Sequence, residues 1–95
     1  MTGEVLKFRE TTSNTLSNKD LGISNIFERD LPDDKGVIAP RISAVLVIHD
    51  PRTDEIQRET VFAGNIVSIG GDRYCVVSVE RGNGSPGWIS LRQVT

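Results

Sequence analysis

Wherever apolar residues recur along this chain they recur at every second position, the period of a strand rather than a helix. Residues 41–49 carry the pattern most strongly: Ile42, Ala44, Leu46 and Ile48 fall on one side, Val45 and Val47 on the other. Apolar residues on both sides predict a central strand covered on both faces. Residues 73–80 alternate in the same way, with Cys75, Val77 and Val79 expected inside and Tyr74 and Val76 opposite. Weaker strands are expected over residues 4–9 (Leu6 and Phe8 inward), 21–27 (Leu21, Ile23 and Phe27, bulged near Asn25), 55–62, 65–69 and 88–94. The expected core is Leu6, Phe8, Ile42, Leu46, Ile48, Val67, Ile69, Cys75, Val77, Val79, Ile89 and Leu91. On this reading Val77→Ala costs about 1–3 kcal/mol. No window supports a helix of ordinary length; the best candidate is a single turn over residues 17–22.

Turn chemistry divides the strands. Asp50-Pro51 opens a turn between the strand ending at His49 and the next. Gly70-Gly71, between two strand-like runs, predicts a tight hairpin with positive φ. The run 64–79 around that turn resembles the hairpins of SH3-like β-barrels, a likeness that bears on fold alone. Pro32, Asp33, Asp34, Gly36 and Pro40 mark residues 30–40 as a mobile loop, and 81–87 reads as a second long loop.

The chain has 95 residues, 37% of them hydrophobic. That suits one domain over residues 1–95 with one modest core. The fold class is therefore all-β: a small barrel or sandwich of six to eight short antiparallel strands. A faint internal echo adds a pseudo-twofold. Arg9-Glu10-Thr11 recurs as Arg58-Glu59-Thr60, Phe27-Glu28-Arg29 as Val79-Glu80-Arg81, and the strand opening Ile42-Ser43 as Ile89-Ser90, each near fifty residues apart.

Chemistry-bearing constellations are sparse. His49 lies close to Asp50, Asp54 and Glu55, but it is the only histidine, and carboxylates at a hairpin tip ordinarily form the turn. Asp30, Asp33 and Asp34 miss the ligand spacing of a calcium loop. Gly70-Gly71 is followed by a strand, where a phosphate loop needs a helix. Cys75 lies inside an apolar strand, the setting of an inert thiol. No catalytic residue, metal ligand or cofactor is expected, and the chain is read as not an enzyme.

Eleven basic and thirteen acidic residues give a net charge of −2, which disfavours general polyanion binding. The charge is unevenly spread. Residues 28–34 hold four acids and one base, whereas the chain from Arg73 onward holds Arg73, Arg81 and Arg92 against Glu80. The expected function is a small non-catalytic module, of inhibitor, immunity or assembly-factor type, that binds a protein partner. Its expected interface joins Asp30, Asp33 and Asp34 on one loop to Arg81 and Trp88 flanking the other. The alternatives are a structural subunit of a phage-type or other ring, and a nucleic-acid binder using the basic C-terminal face. A lone cysteine and an amino terminus without a basic stretch leading into an apolar run point to the cytoplasm.

Overall fold

The computed structural model describes residues 4–82 and 86–94. They form eight antiparallel strands and no helix: β1 (Val5–Arg9), β2 (Ser13–Leu16), β3 (Lys19–Pro32), β4 (Ile38–His49), β5 (Ile56–Phe62), β6 (Ile66–Ile69), β7 (Asp72–Glu80) and β8 (Trp88–Val94). Two four-stranded sheets result, one ordered β1-β8-β7-β6 (sheet A) and one β2-β3-β4-β5 (sheet B). They share one apolar core and are not closed into a barrel. No helix among the described residues is long and apolar enough to cross a membrane.

Two of the turns follow directly from local chemistry. Gly70 and Gly71 have φ of 61° and 89° and join Ile69 to Asp72 in a two-residue hairpin. A Cβ at Gly70 would lie 2.2 Å from the Ser17 carbonyl oxygen, so the site needs glycine for space as well as for φ. Asp50 and Pro51 open the β4–β5 turn, where the Asp54 N–H donates to the Asp50 carbonyl at 2.8 Å. The single helical turn expected over residues 17–22 is instead a second hairpin. Ser17 and Asn18, at φ 50° and 63°, link β2 to β3, and this pair of positive φ values matches the twist of the flanking strands.

Both middle strands are bulged, and each bulge changes the expected phase. In β3 the pairing with β4 slips between Ser24 and Phe27, with Asn25 at φ 53°. The bulge expected near Asn25 is present. It turns Ile26 into the core and leaves Phe27 outside, 47% exposed. In β7 the slip falls between Val76 and Ser78. Tyr74 and Val76 are buried, Val77 is exposed and Cys75 only half-buried, which reverses the expected phase of this strand. At the bulge Val76 also bonds to the β5–β6 turn: the Gly64 N–H donates to the Val76 carbonyl, and the Val76 N–H to the Asn65 carbonyl, both at 2.8 Å. Beyond the bulge Val79 returns to the core side.

The mobile loop expected over residues 30–40 is a correction of another kind. β3 and β4 run on as a two-stranded arm closed by a turn over residues 33–37. The Asp33 N–H donates to the Val37 carbonyl at 3.0 Å, so the odd-numbered pairs of the arm are the hydrogen-bonded ones. Pro40, opposite Asp30, and Pro32, opposite Ile38, therefore sit in non-hydrogen-bonded pairs, where proline removes only an outward-facing donor. The arm is continuous for that reason, and its two open edges are blunted against strand addition.

β4 is central in sheet B, but the cover expected on its second face is incomplete: Val45 and Val47 are half-buried. The two sheets have the same succession, β2-β3-β4-β5 matching β6-β7-β8-β1, each with a tight hairpin before a bulged second strand. Ser43 and Ser90, both buried, fall at matching places on β4 and β8. The other two echoes are out of register. Glu28 pairs with Ile42 where Val79 pairs with Ile89, and Phe62 pairs with Ser43 where Lys7 pairs with Ser90.

Candidate docking surfaces

Trp88 opens β8, between Arg9 of β1 and Glu80 of β7. Residues directly opposite one another in a sheet point to the same face. The outward face of sheet A therefore gathers Val5, Lys7 and Arg9 from β1, Trp88 and Arg92 from β8, Arg73 and Cys75 from β7 and Ile66 from β6. Trp88 is half-buried because cations cover it: Arg9 stacks 4.7 Å and Lys7 5.4 Å from the ring centroid. Such contacts contribute about 0.5–1 kcal/mol each when exposed. Lys7, Arg9, Arg73 and Arg92 are all exposed, and none forms an ion pair among the described residues. Glu80 is the one carboxylate on this face. Tyr74 is buried near the opposite end of β7, opposite Gln93, and so is no neighbour of Trp88. Arg81 is exposed just beyond β7; residues 83–85 of the loop expected there lie outside the described residues.

The acidic residues lie on the arm. Its even-numbered side presents Glu28, Asp30 and Pro32 from β3 against Ile38 and Pro40 from β4, all exposed, with no cation among them. Ile38 is 68% exposed. The odd-numbered side is closed on itself. Arg29 stacks 3.7 Å from the Phe27 centroid and donates to Ser43 Oγ at 2.6 Å, while Arg41 donates to the Leu31 and Val37 carbonyls. Asp33 is absorbed by the turn. It accepts from the backbone N–H groups of Val37 and Lys35, which hold its carboxyl below the usual range, with Arg41 3.7 Å away adding to the effect. Asp34 is exposed beside it.

The β3–β4 and β7–β8 connections are equivalent in the strand order of the two sheets. That much agrees with a joint surface. Among the described residues, however, no hydrogen bond or ion pair links Asp30, Asp33 or Asp34 to Arg81 or Trp88. The arm tip borders Phe62 and Ile66 at the β5–β6 turn instead. No direct bond among the described residues therefore joins the two parts of the expected interface. Lys7 and Arg9, which sequence reasoning left out, complete the Trp88 surface; the signal for them was the alternation of β1, which puts its two cations on one side.

Glu10 joins these regions. Its carboxylate accepts from the Ile26 N–H at 2.9 Å, in the bulge at the arm's root, and from the Gly87 N–H at 3.1 Å, just before Trp88. The opposite end of the molecule holds three further polar clusters. Ser17 Oγ lies 2.7 Å from Asp72 and 2.6 Å from the Tyr74 hydroxyl. Ser17 donates its one hydroxyl hydrogen to Asp72, so Tyr74 donates to Ser17. His49 is clamped by Asp20 at Nδ1, 2.9 Å, and Asp54 at Nε2, 3.0 Å. The Asp20 bond first, then the Asp54 bond, raises its pKa. Lys19 lies 2.7 Å from Asp50 and, together with the Arg52 N–H, draws the Asp50 pKa down to about 2. These groups tie hairpin tips together, and Ser17, Lys19, Asp20 and Arg52 also line an open cavity of about 490 Å³ at this end of the molecule.

No family model, curated protein or solved structure matches this chain.

Proposed function

We propose that the chain is a non-catalytic β-sandwich module that binds a protein partner through the Trp88 face of sheet A. The common order of the two sheets supports reading them as related halves. One observation carries the function: an indole lies under two cations on a sheet face whose four exposed basic side chains form no ion pair among the described residues. Tryptophan and arginine are the residue types that anchor protein interfaces, with charge directing the approach and the ring supplying buried area. We read the chain as cytoplasmic, its free cysteine agreeing with a reducing compartment.

The test is a comparison of baits. Wild-type protein retains a partner from native lysate that an Arg9→Ala, Trp88→Ala double variant of unchanged fold does not. The same proteins retained on both baits would place the interface elsewhere. A second reading draws on the same cations: Lys7, Arg9, Arg73 and Arg92 could follow a nucleic-acid backbone, with Trp88 stacking on a base. Salt-dependent binding of an oligonucleotide, lost in the same variant, would favour that reading.

A further inference from the structure

The chain carries two exposed surfaces that complement each other. The arm offers Glu28 and Asp30 beside Ile38 and Pro40, acidic and apolar with no cation. The outward face of sheet A offers Lys7 and Arg9 over Trp88, with Arg92 and then Arg73 further along the sheet beside the exposed apolar side chains of Val5 (43%) and Ile66 (50%). We infer that the occupant of the Trp88 face is the β3–β4 arm of a second copy of this chain. The inference rests on the protein-docking reading above and names its partner.

Three observations make a second copy the fitting occupant. Charge is the first: neither Glu28 nor Asp30 has an ion-pair partner among the described residues, and neither do the four cations of the face. Geometry is the second. The arm's acidic side is the continuation of the inward side of β3 and β4, whereas the cations point away from the core on the other sheet. Within one protomer Glu28 and Asp30 therefore face a different way from the four cations, although the arm tip itself borders Ile66. The third is the form of the arm. Prolines at residues 32 and 40 blunt its edges, so it docks by side chains laid against a sheet face and not by adding a strand. The contact uses two different patches. Reciprocal docking closes a two-fold dimer, and one-way docking closes a ring or runs on as an open chain.

Charge reversal tests this, because all the residues concerned are exposed and their replacement leaves the core intact. Sedimentation at low salt should show wild-type protein associating, and added salt should disperse it as the Debye length shrinks. Glu28→Lys with Asp30→Lys, and separately Arg9→Glu with Arg92→Glu, should each weaken association by more than about tenfold. Combining all four changes in one chain should restore it, as should mixing the two double variants. Wild-type protein that stays monomeric overturns the inference, as does association indifferent to either reversal or not restored by their combination. The protein-docking reading fails separately. If wild-type protein is monomeric yet the Arg9→Glu, Arg92→Glu variant loses a lysate partner, that reading stands and self-docking does not.

Discussion

The carboxylate of Glu10 accepts a hydrogen bond from the Ile26 N–H at 2.9 Å, fastening the end of β1 to the bulge from which the arm springs. Its other oxygen accepts from the Gly87 N–H at 3.1 Å, one residue before Trp88. A single side chain thereby satisfies a backbone donor of sheet B and another just before β8 of sheet A. Glu10→Ala leaves two part-buried N–H groups without this partner and should cost about 1–3 kcal/mol in urea unfolding. An unchanged midpoint would show that water replaces the carboxylate without loss.

Gly87 tests the same junction by steric means. A Cβ there would fall 2.3 Å from the Glu80 carbonyl oxygen and 3.1 Å from Ile26 Cδ1. The first neighbour is backbone and cannot swing away. Gly87→Ala should lower stability by at least about 1 kcal/mol and shift the Trp88 environment, read by thermal unfolding and fluorescence. Gly22→Ala, whose Cβ would meet only ordinary contacts at 3.8 Å, is the neutral comparison.

The β7 bulge exchanges the expected roles of two neighbouring valines. Val76 is fully buried and Val77 is 37% exposed. Val76→Ala should therefore cost roughly 1–3 kcal/mol, and Val77→Ala stay within about 0.5 kcal/mol. Equal losses would contradict the register drawn here.

This pair also shows where sequence reading stops. The apolar alternation of residues 73–80 is real, but a bulge between Val76 and Ser78 shifts its phase, and a bulge is set by pairing with distant strands that the local pattern does not record. Turn residues were legible where they act alone, as at Asp50-Pro51 and Gly70-Gly71. They misled where pairing overrides them: Pro32 and Pro40 read as breakers, yet both occupy pairs that need no inward donor. Ser17-Asn18 resembled a helix cap because the strand before it, β2, has too little apolar alternation to be recognised. Of the expected interface, Trp88 could be singled out by type. The cations covering it lie some eighty positions away in sequence, and no local pattern links them.

Stability should depend on pH in two windows. His49 has a raised pKa in the folded state, so its clamp contributes fully below the unfolded value near 6.5 and is lost as pH rises through the raised value. Asp50 has a lowered pKa, so its contribution is present above the unfolded value of 3.8 and fades as pH falls toward about 2. Thermal unfolding of His49→Gln should be flatter than wild type across the upper window and parallel to it in the acid one. A wild-type profile that is flat or rises through the upper window would contradict the clamp.

Trp88 is the sole tryptophan of the chain, so its emission reports the proposed interface without labelling. The most direct measurement follows that emission and its quenching by acrylamide over a protein concentration series at low salt. If the arm of a second copy covers the ring, emission shifts to the blue and quenching falls as concentration rises, and added salt reverses both. Emission and quenching that stay constant over the whole series would contradict the account.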